Sequence, residues 1–210
     1  FDLAERFRVP VLLLADKELA LTAVTVEPEA FERPPVRARP VATGAGPPCR
    51  FTPAADVPPL AQVGGDAPVR LTGSTHDERA LITRAPATVA ALNEHLRAKV
   101  EDHAGELDLV AADLQPGATT LFVSWGVTAG AQRQAVARLR AAGRRVSSLV
   151  LQGLWPVPER ALRAALAAHA HVVVAELNHG QGRREVERVA GRALQGLHRV
   201  DGELLAPEQF

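Results

Sequence analysis

The residues best suited to chemistry form the segment Glu176-Leu177-Asn178-His179-Gly180-Gln181, which directly follows an apolar run. Glu176 could accept backbone N–H groups or pair with an arginine, Asn178 could cap a following helix, and Gln181 could reach across a subunit boundary. His179 could titrate near neutral pH, although a loop histidine usually faces solvent. Because no nucleophile, base and orienting group accompany the segment, the sequence favours a structural or interface role over a catalytic one.

A second candidate is the polar loop Thr72-Gly73-Ser74-Thr75-His76-Asp77-Glu78. A carboxylate beside an imidazole, as in His76 and Asp77, could tune a proton relay or supply two metal ligands. A metal site is not expected, because adjacent loop residues point in different directions and neither a His-Glu-x-x-His motif nor a cysteine pair is present. The sequence favours a local turn network over a contribution to a neighbouring active site, the alternative that loops often provide.

The third candidate is the turn Gly126-Val127-Thr128-Ala129-Gly130, where backbone N–H groups at a helix start could hold a phosphate. The turn is not a Gly-x-Gly-x-x-Gly motif, and the next apolar run ends at Gly153 without a carboxylate for a ribose hydroxyl. The sequence therefore predicts a tight turn with a helix cap from Thr128 rather than a nucleotide site.

Three apolar runs alternate with helical patterns and position these candidates. Strands are predicted at 119–125, 146–151 and 171–175, and helices at 131–142, from about Pro158, and along Val186 to Leu197. The predicted fold class is α/β, a three-layer domain with a mostly parallel sheet flanked by helices. The segment Glu176 to Gln181 then lies at the carboxyl end of a central strand, where open α/β sheets place ligands.

The first part of the chain is different in character. Residues 1–7 predict the end of a helix and residues 9–15 a strand, so residues 1–25 are interpreted as a helix-strand remnant of an incomplete domain. Residues 26–84 are rich in proline and glycine, including Pro34-Pro35 and Gly44-Ala45-Gly46-Pro47-Pro48, and predict an extended connector. The third predicted domain covers 85–210 and begins with an amphipathic helix from Pro86 to about His103.

Composition excludes several classes of function. The 210 residues are 47% hydrophobic, have no net charge and a pI of about 7.3, which gives no electrostatic footprint for nucleic acid or an anionic membrane. No run approaches the roughly 20 apolar residues of a membrane span, so the cytoplasm is the expected location. A single cysteine, Cys49, cannot hold an iron–sulfur cluster. Because the chain has no methionine, it is expected to begin inside a longer polypeptide.

These motifs resemble a known family. Ser124-Trp125-Gly126, Leu154-Trp155-Pro156-Val157-Pro158 and the segment from Glu176 to Gln181 resemble the C-terminal, transketolase-type domain of 2-oxoacid:ferredoxin oxidoreductase alpha subunits. Val200-Asp201-Gly202 followed by Pro207-Glu208 resembles the closing strand and turn of that domain.

The resemblance extends to the first half of the chain. Leu3-Ala4-Glu5, Val9-Pro10-Val11 and Asp16 resemble the end of the preceding pyrimidine-binding domain. The loop from Thr72 is similar to a Thr-Gly-x-x-His-Asp-Glu loop of these subunits, with Ser74 and Thr75 in place of Leu-Glu and Ala80 where glycine is common.

The resemblance implies an enzyme that decarboxylates a 2-oxoacid on thiamine diphosphate with Mg²⁺, passes electrons through iron–sulfur clusters to ferredoxin, and forms an acyl-coenzyme A. The implied partners are a beta subunit and, through the complex, ferredoxin. This chain lacks the Gly-Asp-Gly and Asn motif for the diphosphate. The activating acid is expected before Phe1. We therefore expect the chain to form a non-catalytic assembly and interface portion that binds no cofactor alone.

Two other classes stay open at this point. A parallel-sheet domain with a proline-rich arm is also consistent with an interaction module without chemistry. The C-terminal domain of another thiamine enzyme, such as a transketolase or a 2-oxoacid dehydrogenase, shares the same predicted fold.

Overall fold

The structure, a computed structural model, describes residues 1–31, 38, 40–42, 44, 46–66 and 69–210. Pro34, Pro35 and Ala45 of the predicted connector lie outside the described residues. The chain divides into two compact units, which we call the N-terminal unit (residues 1–13 and 24–103) and the sheet unit (residues 14–23 and 104–210). The domain boundaries at residues 25 and 84 remain predictions.

The sheet unit is built on five strands. In order along the sheet they are β1 (Val110–Asp113), β3 (Val146–Leu151), β2 (Thr120–Ser124), β4 (His171–Glu176) and β5 (Gln195–His198). Strands β3, β2, β4 and β5 run parallel, whereas β1 pairs antiparallel with β3. The prediction of an α/β fold with a mostly parallel sheet is therefore confirmed.

Helices cover both faces of this sheet, which confirms the predicted three layers. They are α4 (Thr128–Ala141), α5 (Glu159–Ala167) and α6 (Gln181–Ala190), and a short helix α2 (Lys17–Leu21) also belongs to the unit. Side chains alternate along β2, so that Leu121 and Val123 pack with α5 and α6 while Phe122 packs with Val136 of α4. A strand buried on both sides reads as a continuous apolar run, which is why β2, β3 and β4 were visible in the sequence.

Two sequence expectations about this unit are wrong in their bounds, and one strand was missed. Helix α6 ends at Ala190 because Gly191 takes the left-handed conformation with φ 66°, so Leu197 belongs to β5 and not to the helix. Val200-Asp201-Gly202 is consequently not the closing strand, which is Gln195–His198. Strand β1 was not predicted, since Val-Ala-Ala-Asp is short and mostly exposed.

The N-terminal unit contains helices α1 (Asp2–Phe7) and α3 (Pro86–Glu101). Helix α3 confirms the predicted amphipathic helix, and segments of the predicted connector hydrogen-bond to it or to each other. His95 Nδ1 lies 2.7 Å from the Ala54 carbonyl, and the Cys49 N–H donates to the Glu78 carbonyl. These contacts place α3 in one compact unit with part of residues 26–84.

The strand predicted at residues 9–15 is not present. Residues 10–15 carry no strand assignment in the structure, and Leu12, Leu13 and Leu14 are 83%, 96% and 73% exposed. A strand requires a neighbour for its N–H and C=O groups, and these residues form no ladder with any part of the chain that the structure describes. The helix part of the predicted remnant, Asp2–Phe7, is confirmed.

None of the helices within the described ranges is long and apolar enough to cross a membrane.

Candidate functional site

The turn between β2 and α4 holds a carboxylate from a distant part of the sheet unit. Asp16 Oδ2 accepts a hydrogen bond from the Val127 N–H at 2.6 Å. Gly126 adopts φ 57° and lies so close to Asp16 that a Cβ on Gly126 would overlap the carboxylate. A negative charge at a helix N-terminus is favourable, because the unpaired N–H groups there carry partial positive charge.

This arrangement corrects the sequence prediction of a cap from Thr128. Thr128 is the first residue of α4 and is buried, and no cap bond from the flanking side chain is present. The cap comes instead from Asp16, which lies 111 positions away in the sequence. Because the Asp16 carboxylate already binds the helix start, a phosphate bound there would lie next to another negative charge.

The segment after β4 is organised around the buried side chain of Glu176. Glu176 is only 1% exposed. Oε2 accepts from the Gly182 N–H at 3.0 Å and Oε1 accepts from the Arg183 N–H at 3.0 Å. The strand therefore ends in a carboxylate that binds two N–H groups of the first turn of α6, as the sequence predicted for Glu176.

Asn178 completes the same helix start. Its Oδ1 accepts from the Gly180 N–H at 2.8 Å and from the Gln181 N–H at 3.0 Å. The predicted cap from Asn178 is therefore present. Gly180, the first of these donors, has φ 86°, a conformation that glycine adopts without steric cost. Four consecutive N–H groups, from residues 180 to 183, are satisfied by two side chains.

Other polar groups line the inner side of this segment. His198 is the last residue of β5. Its Nε2 lies 3.5 Å from Glu176 Oε1, and its ring lies against Gly180 and Gly196. Ser124 ends β2 with its hydroxyl fully buried and without a hydrogen-bond partner in the described part of the chain. The ring of Trp125 packs directly on Gly182. This set of residues, at the carboxyl ends of β2, β4 and β5, was not predicted beyond Glu176.

The arrangement fixes the path of the loop from Glu176 to Gln181. Both oxygens of Glu176 accept hydrogen bonds from backbone N–H groups, which gives this carboxylate a structural role at the start of α6. Among the residues with described positions, no cluster of three or more His, Cys, Asp or Glu side chains could hold a metal ion. His179 and Gln181 are exposed at the outer edge. The interface role of Gln181 stays a prediction.

The loop from Thr72 to Glu78 lies in the N-terminal unit and forms a turn network. Asp77 Oδ1 accepts from the Arg79 N–H at 2.9 Å and the Leu81 N–H at 3.0 Å. His76 Nδ1 lies 2.9 Å from the Ser74 carbonyl, and Thr72 Oγ1 accepts from the Ser74 N–H. Gly73 is exposed with open space around it. These bonds are the network that the sequence favoured.

Ala80 closes this turn in an unusual conformation. It has φ 58° and is 2% exposed. A non-glycine residue in the left-handed region is strained by roughly 1–2 kcal/mol. Glycine would adopt this conformation without that cost.

Two cavities of the N-terminal unit meet at this loop. Their volumes are about 190 and 470 Å³, and Cys49, Phe51, His76 and Leu92 line both. Burial raises the pKa of the Cys49 thiol and lowers the pKa of His95, which stacks on Phe51 with ring centroids 3.9 Å apart.

Lys99 also lines the smaller cavity and was missed from the sequence. It follows Leu92 by seven positions and Leu96 by three, so it falls on the apolar face of α3. A charged residue on an apolar face is the signal that could have found it.

Known proteins place these features in a family. Residues 118–210 match the family described as pyruvate:ferredoxin oxidoreductase core domain II. The 2-oxoglutarate synthase subunits KorA of Methanothermobacter thermautotrophicus and Methanothermobacter marburgensis are 30% and 31% identical to the chain over its whole length. The chain is similar over its whole length to 2-oxoacid:ferredoxin oxidoreductase subunits.

A solved structure of this family shows the same fold. The 2-oxoglutarate:ferredoxin oxidoreductase from Magnetococcus marinus, determined with 2-oxoglutarate, coenzyme A and succinyl-CoA bound, superposes with a TM-score of 0.85 at 25% identity. The similarity covers 99% of this chain and 37% of that chain. The chain spans 57% of the length of the two KorA subunits. The sequence-based identification of a 2-oxoacid:ferredoxin oxidoreductase subunit is confirmed.

Proposed function

We propose that this chain is the C-terminal portion of a KorA-type alpha subunit, in an enzyme that oxidatively decarboxylates 2-oxoglutarate to an acyl-coenzyme A and passes the electrons to ferredoxin. The observation that carries the proposal is the extent of the similarity. Sequence relatedness to KorA subunits covers the whole chain, and therefore both units and the polar loop from Thr72. A shared fold alone would support neither the substrate nor the subunit type.

Within that enzyme we assign the chain an assembly role. Asp16 and Glu176 accept hydrogen bonds from backbone N–H groups at the starts of α4 and α6. Their role in this chain is to fix two helix starts at the carboxyl end of the sheet. The exposed His179 and Gln181 then form the outer surface of a rigid loop, which suits contact with a beta-type subunit.

The cofactors of the proposed enzyme do not fit the residues of this chain. An iron–sulfur cluster requires several thiolates, whereas the sequence contains one cysteine. Mg²⁺ requires clustered oxygen ligands, and no such cluster is present in the described ranges. The start of α4, the helix end best suited to a diphosphate, is already met by Asp16. We therefore assign thiamine diphosphate, Mg²⁺ and the clusters to other parts of the complex.

Assembly with a beta-type subunit tests the proposal. The chain and a separately expressed beta subunit of a 2-oxoglutarate:ferredoxin oxidoreductase are mixed and run on a size-exclusion column. We expect them to elute together. A chain that elutes unchanged beside the beta subunit would contradict the assembly role.

A pair of variants locates the contact. Gln181→Trp adds bulk to the exposed loop, and Gln134→Trp adds the same bulk to an exposed position in the middle of α4. Neither change removes a core residue. We expect only Gln181→Trp to weaken the association. Equal association of both variants would exclude the loop as the contact.

A further inference from the structure

Lys99 is buried, and no carboxylate pairs with it among the residues that the structure describes. The residue is 6% exposed, whereas the other lysine of the chain, Lys17, is exposed. The Lys99 ammonium donates to the Arg8 carbonyl oxygen at 3.1 Å, and within the part of the chain that the structure describes no carboxylate is paired with it. Buried lysines are rare unless they are paired, because the charge loses its hydration. The positive charge of Lys99 is therefore not compensated by a carboxylate of the described residues.

The side chains around Lys99 add further positive charge to the cavity. The cavity of about 190 Å³ is lined by Lys99, Arg8 and Arg70, which are cationic, and by His76. Arg8 donates from Nη1 to the Pro58 carbonyl at 2.8 Å and repels Lys99. Burial, and then the Arg8 charge, lower the pKa of Lys99.

The two carboxylates of the loop, Asp77 and Glu78, are engaged elsewhere. Asp77 binds two backbone N–H groups, and Glu78 pairs with Arg50 at 3.1 Å. Both line the larger cavity and not the smaller one. The charge of the smaller cavity is therefore not neutralised by these two side chains.

The remaining wall of the cavity is apolar. Leu92 and Leu96 of α3, together with Phe51 and Val57, supply hydrophobic side chains next to the cations. A small ligand site commonly combines an apolar wall with a few convergent polar groups. The cations suit the anionic group of a small ligand, and the leucines and Phe51 suit its uncharged part.

We propose that this cavity binds a small anionic ligand whose phosphate or carboxylate group pairs with the Lys99 ammonium, with Arg8 and Arg70 as flanking cations. The inference rests on the N-terminal unit alone and is independent of the proposed enzyme activity. The shared chemistry is an anionic oxygen group of a small molecule. Phosphate esters and organic acids are the two sources that the experiment separates.

Calorimetric titration of the complete 210-residue chain tests the site with two probes, inorganic phosphate and butyrate, each against sodium chloride at equal ionic strength. We expect saturable binding of at least one probe. The stronger probe identifies the head group. Absence of saturable binding of both probes would overturn the proposal.

Substitutions assign the binding to Lys99. Lys99→Met keeps the length of the side chain and removes its charge, and Lys17→Met is the matched control at the other lysine of the chain. Loss of a charge-assisted hydrogen bond predicts at least about tenfold weaker binding for Lys99→Met, with Lys17→Met unchanged. Unchanged binding by Lys99→Met would refute the assignment.

A direct measurement covers the case in which Lys99→Met does not fold. Because the chain contains two lysines, labelling with ε-¹³C-lysine gives two resonances in an NMR spectrum. The bound anion should shift the Lys99 resonance and leave that of Lys17 in place. Arg70→Gln, which changes an exposed residue, should weaken binding to a smaller extent. A Lys99 resonance that does not move at saturation would contradict the site.

Discussion

Single carboxylates bind the helix starts at the carboxyl edge of this sheet. Glu176 is the last residue of β4 and binds the first turn of the helix that follows. Its charge is removed from water, and two backbone N–H groups together with the positive end of α6 replace that hydration. One side chain thereby couples the end of a strand to the start of a helix. The exposed loop between them has little freedom to change its path.

We expect Glu176→Gln to destabilise the chain. The amide preserves the shape, but its NH₂ group must face one of the two N–H donors, which leaves a buried donor unsatisfied. The expected loss is about 1–3 kcal/mol of unfolding free energy. Urea unfolding followed by circular dichroism measures it.

Glu185→Gln is the matched control on the surface of α6. Glu185 is exposed and forms an ion pair with Arg188 at 2.9 Å. Its loss should change the unfolding free energy by less than about 1 kcal/mol. Equal effects of the two substitutions would show that the buried bonds of Glu176 contribute no more than a surface pair.

The separation of the two partners along the sequence explains which of these contacts could be predicted. Glu176 and Asn178 bind N–H groups within seven residues, so the type and spacing of the residues were enough. Asp16 caps α4 across 111 positions, and no local pattern indicates such a contact. The closeness of His198 to Glu176 depends in the same way on the pairing of β4 with β5.

Helices α4 and α6 both carry a glycine in the first turn, but the two glycines have different surroundings. A Cβ on Gly182 of α6 would overlap the ring of Trp125 and lie 3.1 Å from Glu176 Oε2. A Cβ on Gly130 of α4 would have no atom within 4 Å. The first glycine lets a helix approach the ring of Trp125, and the second has no such packing role.

Alanine at the two positions should therefore act in opposite directions. Gly182→Ala must displace Trp125, and we expect a loss of roughly 1–3 kcal/mol from overpacking. Gly130→Ala should stabilise the chain by about 0.5–1 kcal/mol, because alanine restricts the unfolded chain and favours helix. Thermal unfolding gives the sign of each change.

Tryptophan fluorescence provides an independent check on the cause. The chain has two tryptophans, Trp125 and the 77% exposed Trp155. Gly182→Ala should shift the emission of Trp125, and Gly130→Ala should not. A stabilising Gly182→Ala substitution with unaltered emission would contradict the packing seen at α6.

Elements were predictable where burial imposes a continuous pattern. β3 was predicted at its observed bounds, and β4 within one residue. β1 is an exposed edge strand of four residues, and its pairing to β3 is decided by contacts far along the chain. The end of α6 was placed too late because the apolar residues of β5 continued the helical spacing past Gly191.

At the scale of the whole chain, the division into units differs from the simplest interpretation of composition. Low periodicity from Val26 to Pro68 predicted that residues 26–84 form an extended connector, either packed along a partner or mobile. In the described part of that segment, Cys49 and Ala54 hydrogen-bond to Glu78 and to His95 of α3. Proline and glycine content indicates irregular backbone, but it does not exclude a compact one.

The last prediction concerns the distribution of cofactor binding between polypeptides. Calorimetric titration of the chain with thiamine diphosphate and Mg²⁺ should give no binding heat, because the chain lacks a diphosphate motif and Asp16 already meets the start of α4. The same titration on the chain assembled with a beta-type subunit controls for active cofactor. Saturable binding to the chain alone at micromolar concentration would require a diphosphate site built from these 210 residues. The assembly role would then be incorrect, while the anion site at Lys99 would remain open to its own test, since inorganic phosphate and butyrate carry no thiamine.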